Sequence, residues 1–323
     1  MQNSARSSAP DQSSAEIDDI AVARAALAKI DFFRSERPDL VKITRLGGLT
    51  NSVFKLDCNG DSYVLRLAGD GTSDYIDRSF EAAALRETSR TGVSPALIYC
   101  DPDNGTAVTE WARALPMTAP LFRSNPGAPR RAGEVLRRLH GSDAKFEFQF
   151  DLFGMLEEYV TVLAKQPTQL PHGLTDMLAL ADRLQQTLAR RPVPLVACHC
   201  DLLPDNFLDT GTRMFLVDWE FSGMNDPMWD LGDAIVECGL APKDERDLIA
   251  GYFGGDPKPS ELGRIIIYKA MCDLLWTLWG LIQHANGNPA DDFQAYAGKR
   301  FSRAQSVVGD RDFARHCAAV AQG

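Results

Sequence analysis

The chain has 323 residues, 45% of them hydrophobic, and a formal net charge of −10 at pH 7. That length and apolar content supply one large or two ordinary folded domains, while the acidic balance excludes the basic surface that a nucleic-acid backbone demands and would steer a cationic small molecule inward. No apolar run approaches the length of a bilayer span, and MQNSARSSAPDQSSAE has no apolar segment behind its arginine, so residues 1–15 are expected to be a disordered tail. Seven scattered cysteines, an odd number, point to free thiols in a reducing cytoplasm. Cys198 and Cys200 flank a histidine, but no second pair stands at ligand spacing, so they read as small strand residues rather than zinc ligands.

The first periodic stretch, IDDIAVARAALAKIDFF at 17–33, predicts a helix that Pro38 punctuates. VKITRLG, NSVFKLDC and DSYVLRLA then alternate with period two and predict an antiparallel meander, with Asn59-Gly60 as a tight hairpin turn. A helix over SFEAAALRETSRTG ends at Gly92, and ALIYC and TAVTEW flank DPDNG as a second hairpin. Five strands and one inserted helix therefore fill residues 41–111. Beyond residue 117 the pattern turns helical, in RRAGEVLRRLHG, DLFGMLEEYVTVLA, GLTDMLALADRLQQTLARR and SELGRIIIYKAMCDLLWTLWGLIQHANG. The only strand-like runs there are LVACH, NFLDT and MFLVDW. The predicted class is α+β, with a β-rich N-terminal lobe at 16–115 and a larger helical lobe at 116–323.

Those three runs bracket HCDLLPDN at 199–206. An aspartate held in a loop by a neighbouring histidine can accept a proton from an incoming hydroxyl, and an amide oxygen five residues later can reach a divalent cation. Asp218, at the tip of the apolar run MFLVD, would complete an oxygen site suited to Mg²⁺ and substrate phosphates. The assembly points to phosphoryl transfer. No G-x-x-x-x-G-K-[ST] occurs, which excludes a P-loop ATPase.

HCDLLPDN followed by VDWE resembles the catalytic loop and metal-binding aspartate of the protein-kinase-like superfamily, in its aminoglycoside phosphotransferase and choline kinase branch. DWEFSGMNDPMWDLGDAIVE and LLWTLWGLIQ are similar to choline and ethanolamine kinases, particularly the bacterial choline kinases. The resemblance spans most of residues 41–310. It implies a two-lobed protein-kinase-like fold and an ATP- and Mg²⁺-dependent enzyme, with Asp201 as catalytic base, Asn206 and Asp218 as metal ligands, and His199 tying the loop to the core. It also implies that LGGLTNSVFKL, with Gly47, Gly48, Thr50 and Asn51, covers the nucleotide phosphates through small residues and backbone N–H groups. Arg66 on YVLRL stands where the fold carries its phosphate-binding lysine, with Glu81 as its ion-pair partner, and VTEWA, with Glu110, would be the hinge that meets the adenine.

A quaternary ammonium has no hydrogen-bond donors, so a protein binds it with aromatic faces and nearby carboxylates. Phe221 lies three residues beyond Asp218, Glu237 ends the helix WDLGDAIVE, and Trp276 and Trp279 share one helical face, with Tyr296 on the next helix. Each position matches the choline pocket of the resembling family. The implied acceptor is therefore choline, a small-molecule amino alcohol, phosphorylated on its hydroxyl in the cytoplasm without membrane insertion. Ethanolamine, thiamine or an aminoglycoside are alternatives on the same fold, and a catalytically dead nucleotide-binding protein is the non-enzyme alternative. His140 is expected to cap or pack its helix. Asp226, Asp230 and Asp233 are expected to fix the catalytic segment through helix-capping bonds. Oligomeric state is not fixed by the sequence.

Overall fold

A computed structural model describes residues 12–34, 40–47, 51–69 and 77–323. It divides into two compact units, Met1–Arg113 and Ala114–Gly323.

The N-terminal unit contains α1 (Gln12–Leu27), α2 (Asp31–Arg34), β1 (Lys42–Gly47), β2 (Asn51–Cys58), β3 (Asp61–Ala68), α3 (Arg78–Arg90), β4 (Leu97–Cys100) and β5 (Ala107–Glu110). The helix α1 begins at Gln12, inside the stretch expected as tail, and residues 1–11 lie outside the described ones. The single helix expected over 17–33 is two. Ile30 N–H turns back to the Leu27 carbonyl (3.1 Å), three residues earlier rather than four, and Arg34 Nε takes the Ala28 carbonyl (3.1 Å). That tightening ends α1 while Ile30 and Phe33 both stay buried.

The strands form one sheet in the order β1-β2-β3-β5-β4, every pairing antiparallel. Cys58 pairs with Asp61, so Asn59 and Gly60 alone make the turn, with φ of 52° and 94°. Both values are positive, which is why Asn-Gly serves here. Phe54, Leu56 and Cys58 alternate inward on β2 and join Leu65, Val108, Leu27 and Phe33 in one core. Each such large apolar side chain contributes roughly 1.5–3 kcal/mol of burial. Asp77 caps α3, accepting from the Ser79 N–H (2.9 Å), and so sets Glu81 in the first turn.

The C-terminal unit contains β6 (Leu115–Pro116), α4 (Ala119–Ser124), α5 (Ala128–His140), α6 (Leu152–Leu163), α7 (Leu174–Ala189), β7 (Val196–Cys198), β8 (Phe207–Asp209), β9 (Met214–Leu216), β10 (Gly223–Asn225), α8 (Pro227–Glu237), α9 (Pro242–Phe253), α10 (Pro259–Ala285), α11 (Phe293–Val308) and α12 (Phe313–Gln322). Two small sheets, β6-β8-β9 and β7-β10, sit among the helices. β7, β8 and β9 fall on the three strand-like runs. β6 and β10 escape a reading of periodicity because two or three residues carry no alternation; distant partners make them strands, Leu115 opposite Asp209 and Met224 opposite Ala197.

At the centre lies α10, which packs against α6, α7, α8, α11 and α12. Its 27 residues are long and apolar enough to cross a membrane, which corrects the expectation that no run is; 78% of its most apolar window is buried inside the protein. A helix hydrophobic all round fits a protein core as well as a bilayer.

Where helices cross most closely, glycines allow it. A β-carbon at Gly133 on α5 would overlap the Leu248 carbonyl oxygen of α9, and one at Gly251 on α9 would overlap the Arg130 carbonyl oxygen of α5. Gly133→Ala is therefore expected to destabilise by about 1–3 kcal/mol, as overpacking does. Gly298→Ala on α11, where a β-carbon meets nothing within 4 Å, is expected to stabilise by up to about 1 kcal/mol through helix propensity. Urea midpoints of the two variants should move in opposite directions.

Candidate active site

The strand β7 delivers the chain into His199, whose amide is fixed by Asp230. Oδ2 of Asp230 accepts from the His199 N–H (2.8 Å), and Oδ1 accepts from the Cys200 N–H (3.0 Å). The next carboxylate on α8, Asp233, accepts from the Leu202 N–H (2.6 Å). Three amides of the loop are thereby tied to one helix. Cys200 sits at φ 69° and Asp218 at φ 68°, a left-handed conformation that costs a non-glycine residue roughly 1–3 kcal/mol. The two aspartates on α8 hold the first of these in place.

His199 is wholly buried and makes the link to the second half of the site. Its Nε2 faces the Val217 carbonyl (2.8 Å) and its Nδ1 faces the Asp201 N–H (3.4 Å). A carbonyl can only accept and an amide can only donate, so the proton lies on Nε2. Burial lowers the imidazole's pKa, although the Asp230 and Asp218 charges oppose it, and the ring stays neutral. Trp219 packs against that ring at 4.6 Å.

Val217 completes the convergence. Its N–H donates to the Asn206 carbonyl (3.1 Å), and Asn206 Nδ2 donates to the Asp201 carbonyl (2.9 Å). Asp201, Asn206 and Asp218 are thus joined through a single histidine and a single valine peptide. With Nδ2 committed, Oδ1 is the atom Asn206 can offer a cation. A carboxylate and an amide oxygen are hard donors that fit Mg²⁺. Burial, then the charges of Glu237, Asp218 and Glu220, push the half-buried Asp201 carboxyl well above the usual carboxylate range.

The α8 aspartates correct the expectation that Asp226, Asp230 and Asp233 act through helix capping. Asp226 does cap α8, accepting from the Met228 N–H (3.0 Å) and pairing with Arg264 (2.5 Å). Asp230 and Asp233 instead take loop amides. His140, expected to cap or pack its own helix, meets Asp230 through Nε2 (3.0 Å) and the Tyr252 hydroxyl through Nδ1 (2.9 Å).

In the N-terminal unit, Arg66 on β3 forms an ion pair with Glu81 on α3. Arg78 Nη1 binds the other oxygen of Glu81 (2.7 Å), a second arginine that the sequence reading did not single out. Its signal was available in retrospect, because i and i+3 share a helix face. Gly47 ends β1, and Asn51 opens β2 as a buried residue opposite Ala68. Gly48 and Thr50 lie outside the described residues. Glu110 ends β5 with its side chain exposed and its N–H bonded to the Ala96 carbonyl (2.8 Å).

Phe221, Trp276, Trp279 and Tyr296 form a row of edge-to-face rings, with centroids 6.3, 5.9 and 6.0 Å apart in that order. The approach of Tyr296 to α10 depends on Gly280, where a β-carbon would lie 2.8 Å from Tyr296 Cδ1. Trp276 is buried and, among the described residues, its Nε1 has no hydrogen-bond partner, whereas Phe221, Trp279 and Tyr296 are half-buried. Glu237, expected beside these rings as a carboxylate for a cation, is gripped by Arg300. Nη1 binds Oε1 (2.5 Å) and Nη2 binds Oε2 (2.6 Å). A cavity of about 300 Å³ opens beside Tyr296, Glu237 and Arg300, with Asp291 and Asp292 on its rim.

A buried-histidine loop of this kind, ahead of a strand-tip aspartate and with an arginine–glutamate pair in the β-rich unit, defines a kinase-like phosphotransferase. The family model described as the phosphotransferase enzyme family, APH, matches residues 42–262. The crystal structure of a choline/ethanolamine kinase family protein from Mesorhizobium loti superposes with a TM-score of 0.87 at 48% identity, covering 94% of this chain and 100% of that one. Among curated relatives, Protein LicA of Haemophilus influenzae is 25% identical over 83% of this chain and 80% of its own length. Ethanolamine kinase 1 of Mus musculus is 25% identical over 79% and 80%. The chain belongs to the phosphotransferase enzyme family, in its choline/ethanolamine kinase branch, and is an enzyme that phosphorylates an alcohol acceptor.

The neutral buried His199 makes stability depend on pH. Its folded pKa lies below the ordinary 6.5, so as pH falls through that value the unfolded chain takes up a proton that the folded loop refuses, and stability drops. His199→Gln keeps an Nε2–H for the Val217 carbonyl and cannot titrate. Relative to the variant, the wild type should lose stability progressively below about pH 6.5 and show no such relative loss above it, in urea unfolding followed across pH.

Proposed function

We propose that the enzyme transfers the γ-phosphoryl group of ATP to the hydroxyl of choline, giving phosphocholine and ADP, in the cytoplasm, where a reducing environment suits seven free cysteines. The observation that carries the choice of acceptor is the row of rings from Phe221 to Tyr296. A trimethylammonium group has no donors and is held by aromatic faces at about 0.5–2 kcal/mol per favourable contact.

In this reading Asp201 accepts the proton of the choline hydroxyl as the oxygen attacks phosphorus. Burial, and then the neighbouring carboxylates, raise its pKa, and an arriving cation favours the ionised form when a base is needed. Arg66 would neutralise nucleotide phosphates, held ready by Glu81, whose other oxygen is anchored by Arg78. The segment Gly47, Gly48, Thr50 and Asn51 would cover those phosphates. At Glu110 the N–H is taken by Ala96, so the carbonyl is the group left to meet the adenine amine. Asn206 and Asp218 would hold Mg²⁺, which when bound supplies charge neutralisation at the phosphates. Catalysis on this account is orientation and electrostatics more than bond-making by the protein.

A panel of choline, ethanolamine, thiamine and an aminoglycoside with ATP and Mg²⁺ tests the assignment, read as ADP release. Choline should give the highest kcat/KM. Asp201→Asn should lower kcat by about 10²–10⁴ with little change in the KM for choline. Robust turnover of ethanolamine with none of choline would overturn the acceptor, and undiminished turnover by the asparagine variant would overturn the role of Asp201.

A further inference from the structure

Arg300 takes up both oxygens of Glu237, at 2.5 and 2.6 Å, in the forked geometry that only a guanidinium gives. It is not free to leave. Its Nη1 also reaches Asp273 Oδ1 (3.2 Å), and Asp273, wholly buried on α10, is gripped in turn by Arg303 through Nε (2.6 Å) and Nη2 (2.6 Å). Glu237, Asp273, Arg300 and Arg303 together carry no net charge. The Arg300 guanidinium also lies over the Tyr296 ring, 4.9 Å from its centroid. The same arginine therefore neutralises the carboxylate beside the aromatic row and packs on one ring of that row.

On the reading that the acceptor is an amino alcohol held by these rings, we infer that Arg300 is a specificity-determining residue, which favours a quaternary over a primary ammonium by withholding the Glu237 oxygens. A primary ammonium brings three N–H donors and must leave three hydrogen bonds to water behind unless acceptors replace them. Of the three carboxylates that line the cavity with Tyr296, Asp291 and Asp292 are exposed to water and Glu237 is the half-buried one, and its two oxygens already face the two Nη atoms of Arg300. A trimethylammonium group has no donors to satisfy. It loses nothing to the occupied carboxylate and needs only the ring faces.

The measurement is the ratio of kcat/KM for ethanolamine to that for choline. Arg300→Lys retains the charge but, as a single ammonium, cannot fork across both oxygens. It should raise the ratio by about tenfold, the worth of one recovered charge-assisted hydrogen bond. Arg303→Lys, which touches Asp273 and not Glu237, should leave the ratio within about twofold of wild type. The double variant Glu237→Gln with Arg300→Gln removes both charges and lets the amides bond each other. Its choline kcat/KM should fall by less than about tenfold, because neither charge is needed to hold a cation on the ring faces. If wild type turns over choline or ethanolamine but the ratio in Arg300→Lys does not move, the inference is overturned and the functional reading survives. A folded double variant that loses choline turnover tenfold or more would overturn it as well, by showing that the Glu237 charge itself holds the cation; this arm decides should Arg300→Lys fail to fold. A wild type inactive on both alcohols would overturn both.

Discussion

The amide-accepting carboxylate of Asp230 is the constraint on which the active-site loop depends. A buried aspartate without partners would be heavily penalised. This one is met from three directions, by the amides of His199 and Cys200 and by the imidazole of His140. Hydrogen bonds to a charged acceptor are worth about 1.5–3 kcal/mol each, enough to hold Cys200 in a left-handed conformation that its side chain does not favour. Asp201 comes next in the chain. Its backbone direction is set by the bend at Cys200, so the position of the carboxylate proposed as the base traces back to α8.

From α8 the same logic runs outward to the aromatic row. Asp233 holds the Leu202 amide with one oxygen and has the Cys272 thiol at 3.2 Å from the other. Cys272 stands 3.6 Å from Glu237, which is bound by Arg300. The loop, the end of α8, the middle of α10 and α11 are therefore joined by polar contacts in an otherwise apolar interior. Such a chain is expensive if any member is left unsatisfied and rigid when all are paired. A substrate's cationic end and its hydroxyl, bound at opposite ends of this chain, would be held at a fixed separation by it.

Much of this was readable before any coordinates. The hairpin at Asn59-Gly60 and the sheet of the N-terminal unit rest on local pattern, and the Arg66–Glu81 pair on the resemblance to the kinase family. What sequence could not supply depends on long-range partners. Arg78 and Arg300 look like surface cations until packing aligns them with Glu81 and Glu237. Asp230 and Asp233 look like helix residues until β7 places loop amides opposite them. The break in the first helix arises from competition between continued helical bonding and the burial of Ile30 and Phe33. The polar residues of the 27-residue α10 hide its apolar length in the sequence: Asp273 and Thr277 are buried and paired, and Lys269 reaches Glu245.

On the proposed reading of the acceptor, two electrostatic tasks are separated in this molecule. The net charge of −10 gives a long-range field that draws a cation from solution. A ligand at the rings would find the Glu237 carboxylate already paired with Arg300, so recognition would pass to aromatic faces and shape. The separation has a physical advantage for an acceptor whose charge is buried under methyl groups. A bare carboxylate would bind small inorganic cations and primary amines as readily, since both can approach it more closely than a trimethylammonium can. Neutralising it removes those competitors while leaving the steering field, which depends on the whole surface, almost untouched.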